Sequence, residues 1–164
     1  MIKSTLTLGE IYTLEAELVG QTSQQPGGKD MKGLISQPVS FSQKYWLTDL
    51  AESLAKDKKN VDTLRNELIQ KLGTPGENGS ISIPISIDKT DDEGNVVNGE
   101  DGKPLKVINP KFQEFNKAME EIFSQVRDVE HYPFKLEDFD FKSDETYLTF
   151  FKLLKPKKDT EQTK

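Results

Sequence analysis

The chain of 164 residues has no cysteine, a single histidine and a single tryptophan. Without thiols there is no disulfide, no thiolate nucleophile and no cysteine-ligated metal, and the composition suits a reducing compartment. The lone histidine, His131, excludes a multi-histidine metal centre and leaves a Ser-His-Asp relay only one possible base. No apolar run approaches the roughly 20 residues that cross a bilayer, and Met1 to Leu8 lack the apolar core of a signal peptide. The expected protein is cytoplasmic and has no membrane attachment.

An excess of positive charge is also missing. With 28 acidic against 22 basic side chains the net charge is −6, a field that repels phosphate backbones and makes nucleic acid an unfavourable partner. Lys56, Lys58 and Lys59 form a basic stretch, but Asp57 interrupts it and no aromatic stacking platform accompanies it. It reads as the solvated face of a helix. The length is that of one domain, expected over residues 1–154, with a mobile loop at 21–33, an acidic hairpin tip at 89–104 and a disordered charged tail at 155–164.

What is present is mostly helical periodicity. Thr7 and Glu10 have capping-box spacing ahead of Ile11, Leu14 and Leu18 on one face, and Gly20 supplies a stop. Leu34 to Phe41, broken by Pro38, reads as extended chain leading to a cap at Ser40 or Ser42. From near Phe41, an apolar stripe of Leu47, Leu50, Leu54, Val61, Leu64, Leu68 and Leu72 describes one long helix of roughly 45 Å. Asp57 and Lys58 interrupt the stripe at its middle, and Gly73 with Pro75 ends the helix.

Ile81 to Ile87 alternates isoleucine with polar residues and Pro84, which describes an edge strand, and its expected return partner is Leu105 to Ile108, with Val96 and Val97 a second candidate. Asn109 and Pro110 open a second helix, whose stripe is Phe112, Phe115, Met119, Ile122, Val126 and Val129, with Phe123 widening the face. The two long stripes match, so the helices are expected to pair antiparallel with the hairpin as connector. An aromatic C-terminal segment covers the core, from Phe134, Leu136, Phe139 and Phe141 to Tyr147, Phe150 and Leu154, with a last short helix capped by Ser143. The expected fold class is α+β, mainly helical.

The chemistry-bearing candidates each have a plainer reading. His131 precedes Tyr132 and Pro133 with no nucleophile nearby in sequence, so a structural or solvent-facing histidine is the expectation. The acidic turns at Asp88, Asp91, Asp92 and Glu93, and at Glu100 and Asp101, lack the alternate-position ligands and the closing glutamate of a calcium loop. Glu120 with Glu121, and Asp138 with Asp140, are adjacent or alternating acids on exposed positions and give no specific acid–base signal. Gly27-Gly28-Lys29 follows no strand and lacks the spacing of a phosphate cradle. No cofactor or metal is expected. Phe41, Tyr45 and Trp46, at the start of the long helix, are the candidate partner surface, because aromatic side chains dominate binding hot spots.

The order of a short helix over Leu8 to Leu18, a long charged helix, the acidic stretch Asp91-Asp92-Glu93-Gly94-Asn95 and then Asn109-Pro110-Lys111-Phe112-Gln113-Glu114-Phe115 resembles a group of small uncharacterised proteins encoded by tailed bacteriophages, including phages of gut Bacteroidales. The resemblance spans Leu8 to Leu154. It implies a viral product acting in the infected cytoplasm or packed in the virion, and it carries no catalytic residues to transfer. The expected role is non-enzymatic, through a protein partner or self-association, with a structural virion component and a nucleic-acid-binding or mimicking protein as alternatives.

Overall fold

The computed structural model describes residues 1–22, 30–76, 79–139 and 147–154. In chain order the elements are β1 (Ile2–Thr7), α1 (Leu8–Val19), β2 (Gly20–Gln21), β3 (Met31–Lys32), a 3-10 turn (Leu34–Ser36) and α2 (Phe41–Leu72). Then come β4 (Thr74–Pro75), β5 (Ile81–Ser82), β6 (Ser86–Asp88), β7 (Lys106–Ile108), α3 (Pro110–Phe123), β8 (Val126–His131), a second 3-10 turn (Leu136–Asp138) and the single turn α4 (Leu148–Phe151). The fold is α+β. Its described strands form two-stranded antiparallel ribbons, β1 with β8, β2 with β3, β4 with β5 and β6 with β7. Residues group into two compact units, Met1–Val61 with Phe123–Lys164, and Asp62–Ile122.

Local signals build the helices of the first unit as expected. The Glu10 N–H donates to Thr7 Oγ1 (3.1 Å) and the Thr7 N–H to Glu10 Oε2 (2.8 Å), closing the capping box that starts α1. Its end falls at Gly20, whose φ of +96° a side chain would resist. Ser40 and Gln43 form the equivalent reciprocal cap before α2. Helix α2 runs unbroken past Asp57. Lys58, which interrupts the apolar stripe, turns toward α1: its ammonium bonds Glu15 and lies 5.6 Å from the Tyr12 ring centroid. Leu47, Leu50, Leu54 and Val61 bury the stripe together with Ile11, Leu14 and Leu18 from α1.

The β1–β8 ribbon corrects the helical reading of Val126 and Val129. Helix α3 stops at Phe123, and β8 pairs with β1 in the register Ile2 with His131 through Thr7 with Val126. The alternation Ile2, Ser4, Leu6 sends one face inward, where Leu6, Val129 and His131 are buried. On the other face Lys3 meets Glu130 and Thr5 meets Asp128. β-branched residues tolerate a helix stripe in pattern but favour the pleated surface once a partner strand exists. Leu34 to Ser36, read as extended, is a 3-10 turn with Leu34 buried. Ribbon β2–β3 closes the base of the loop expected to be mobile; residues 23–29 of that loop, Phe141, Ser143 and the tail 155–164 lie outside the described residues.

In the second unit the last turns of α2 and helix α3 give the helix–hairpin–helix order expected of the helical hairpin, with a connector that differs in detail. The isoleucine-rich run is not one strand but two. It divides at Pro84, with β5 folding back on β4 and β6 pairing with β7. Proline cannot donate to a ladder, and here the Pro84 carbonyl accepts from Asn109 Nδ2 (2.8 Å) while Ile85 accepts the Asn109 N–H (3.0 Å). Asn109 also caps α3, its Oδ1 accepting the Lys111 N–H (3.0 Å). The acidic tip is built of two successive turns that end on Gly94 and Gly102, both with positive φ.

Candidate functional site

Helix α2 begins on an aromatic surface. Phe41 is 94% exposed at its first position, and Tyr45, one turn later on the same face, is 62% exposed. Trp46 is half-buried, which separates its role from theirs. Its indole stacks on Tyr132, with ring centroids 5.2 Å apart and planes within 11°, and meets Tyr45 edge-on at 5.0 Å. Tyr132 in turn meets Phe134 at 5.6 Å, and Phe134 meets Phe150 at 5.3 Å. A continuous series of rings therefore runs from the core of the first unit to its surface.

Main-chain and amide contacts hold the surface in place. Gln43 Nε2 donates to the Asp138 carbonyl (2.7 Å), tying the second 3-10 turn to the first turn of α2. Phe41 and Tyr45 keep few torsions and offer large apolar faces, so burying them against a partner releases water at low entropic cost. The arrangement suits contact. Of the three residues singled out in the sequence, Phe41 and Tyr45 stand free of the core while Trp46 backs them. Tyr132 completes the group; its distance along the chain from Trp46 hid it from sequence reasoning.

His131 is buried, 1% exposed, on the inward face of β8. Its Nδ1 lies 2.7 Å from the Tyr132 carbonyl, and a carbonyl only accepts, so Nδ1 carries the proton and Nε2 accepts from the Ser4 hydroxyl at 2.9 Å. The hydroxyl–imidazole contact joins residues 127 apart in sequence. A hydrolytic relay would place a carboxylate where the Tyr132 carbonyl stands. The pair satisfies a buried ring that also stacks parallel on Phe134 at 6.2 Å.

Burial holds the His131 imidazole below its ordinary pKa, against the opposing pull of the Tyr132 carbonyl. The unfolded chain thus takes up this proton at higher pH than the folded one, so the stabilisation is complete above about pH 6.5 and is lost as pH falls toward the depressed folded value. In urea denaturation between pH 7.5 and 5 we expect the wild-type midpoint to fall with acid, and His131→Phe to lose that component. Equal slopes for both chains would assign the acid sensitivity elsewhere.

Glu17 was not singled out in the sequence. It lies in α1, 4% exposed, and its two carboxylate oxygens accept the main-chain N–H groups of Thr149 (3.0 Å) and Phe150 (2.7 Å). A carboxylate there satisfies two N–H donors at the start of α4 that no helical carbonyl can reach. Glu10 and Lys152 form a second tie between the same elements, and that lysine's hydrogen bond, followed by the Thr7 cap, holds the Glu10 carboxyl below its usual value. Glutamates at surface-like spacing give no hint of such a role, since the partner is main chain.

The chain matches no protein-family model, curated protein or solved structure. Two of the other acidic candidates, Asp91 and Asp138, make local hydrogen bonds. Asp91 accepts the N–H groups of Glu93 and Asn95, which closes a turn, and its carboxyl is lowered chiefly by the Asn95 bond. Asp138 accepts from the Lys135 N–H, while Glu120 and Glu121 are exposed on α3. Asp140 and Gly27-Gly28-Lys29 lie outside the described residues. Among the described residues no cluster of His, Asp and Glu is placed to hold a metal ion, and no helix is long and apolar enough to cross a membrane.

Proposed function

We propose that the protein acts by binding another protein through the surface made by Phe41 and Tyr45 and backed by Trp46 and Tyr132. The near-complete exposure of Phe41 at the head of α2 carries this reading. A phenylalanine in that position buries almost none of its side chain in its own fold, and Trp46 stacked on Tyr132 keeps the neighbouring ring ordered before any partner arrives. The phage-like layout supports an accessory, assembly or host-interaction factor in the infected bacterial cytoplasm.

The test compares immobilised wild-type protein with Phe41→Ala/Tyr45→Ala on extract from infected cells, with circular dichroism as the control for folding. A protein retained by the wild type and identified by mass should lose about 10- to 100-fold in affinity for the double variant, as expected for loss of two aromatic anchors. Equal affinity would move the binding site off this face. A structural virion role is the second reading, supported by the same layout alone, and abundance in purified particles would favour it.

A further inference from the structure

Among the described residues the β1–β8 ribbon has two strands, so each keeps one edge without a strand partner. The hydrogen-bond phase shows which groups lie on those edges. The Leu8 N–H donates to the Gln125 carbonyl at 2.7 Å, and these residues continue the β1–β8 register, so Leu6 with Arg127, Ser4 with Val129 and Ile2 with His131 are the hydrogen-bonded pairs. Lys3, Thr5 and Thr7 therefore direct their N–H and C=O groups away from β8. Glu10 takes the Thr7 N–H. Among the described residues, nothing meets the main-chain groups of Lys3 and Thr5. By the same phase Val126, Asp128 and Glu130 face outward on β8.

We propose that β1 pairs antiparallel with β1 of a second copy of this chain, about a two-fold axis through Ser4, to make a four-stranded sheet with the two β8 strands outermost. Such an axis, perpendicular to the sheet, returns every side chain to its own face and so must pass through a residue position. Through Ser4, Lys3 stands opposite Thr5 of the second copy, and each exchanges both of its outward main-chain groups. Ile2 then faces Leu6 of the second copy on the inward side. Across the solvent face the row reads Glu130, Lys3, then Thr5 and Asp128 of the second copy. Opposite charges flank this seam, and Lys3 already lies 3.2 Å from Glu130.

A two-fold register centred on either end residue of β8, Val126 or His131, would set the strand against residues outside it, and charge disfavours the four registers between them. Two-fold pairing of β8 through Arg127, Asp128 or Glu130 sets that residue against itself, and pairing through Val129 sets Asp128 against Glu130. Like charges directly opposite one another destabilise a sheet, and natural edges use them to prevent pairing. Strand β1 has only Lys3, which the Ser4 register places opposite a threonine. The pairing uses none of the aromatic surface and stands apart from the binding role proposed above.

The experiment is light scattering with size-exclusion chromatography and sedimentation on the full chain over a range of concentrations, for the wild type, Thr5→Lys and Thr5→Val. In Thr5→Lys the new ammonium faces Asp128 within its own ribbon but Lys3 across the seam, twice per dimer. We expect a wild-type dimer, unchanged affinity within about threefold for Thr5→Val, and at least about tenfold weaker association for Thr5→Lys. Hydrogen exchange gives an independent reading on the unaltered chain, with protection of the Lys3 and Thr5 amides rising with protein concentration. A wild type that is monomeric at about 100 µM, a dimer indifferent to Thr5→Lys, or Lys3 and Thr5 amides that exchange unprotected at every concentration would overturn the proposal.

Discussion

Replacing Glu17 with alanine is expected to cost about 3–5 kcal/mol and to release Tyr147–Leu154 from the rest of the first unit. The carboxylate is buried and both its oxygens are committed to the main chain at Thr149 and Phe150. Truncation leaves two N–H donors with no acceptor where water cannot readily reach them. Glutamine is the informative comparison, because its single carbonyl oxygen can replace one acceptor while its amide group turns a donor toward the other N–H. We expect Glu17→Gln to lose at least half as much as Glu17→Ala. Urea denaturation measures the cost, and hydrogen exchange at Thr149 and Phe150 locates it. A loss below about 1 kcal/mol with both amides still protected would mean that packing alone retains α4.

Phe134→Ala should cost a similar amount, about 3–5 kcal/mol, for a different reason. Its ring has no exposed surface and touches four others, with centroids of Phe150 at 5.3 Å, Tyr132 at 5.6 Å, Phe139 at 6.0 Å and His131 at 6.2 Å. Truncation opens a cavity at the junction of these rings, and the surroundings cannot collapse around it without moving β8 or α4. The consequence reaches the candidate surface, since Tyr132 rests on Phe134 and Trp46 rests on Tyr132. Trp46 is the one tryptophan in the chain, so its fluorescence reports this spot alone. A red-shifted emission in folded Phe134→Ala, with partial recovery in Phe134→Leu, is the expected result. An unchanged spectrum would show that the indole is held from α2 and not through Tyr132.

The candidate surface was only half legible from the chain. Phe41 and Tyr45 lie four residues apart, and helical spacing alone puts them on one face. That Trp46 serves as backing follows from its contact with Tyr132, which no local pattern announces. Glu17 and Ser4 were invisible for the same reason: one finds main-chain N–H groups from the far end of the chain and the other finds His131 across a sheet.

The sequence by itself determined the features that depend on neighbours a few positions away. Thr7 with Glu10 starts α1, Gly20 and Gly73 end α1 and α2, and Asn109 with Pro110 opens α3. Caps, stops and helical stripes are short-range physics, and the chain states them directly. Tertiary structure decided what distance along the chain conceals. Val126 to His131 becomes a strand because Ile2 to Thr7 lies beside it, and Ile81 to Ile87 divides at Pro84 because Asn109 takes the carbonyls of Pro84 and Ile85. Strand identity belongs to a pair and not to a segment, since a ladder supplies hydrogen bonds only when its partner is present.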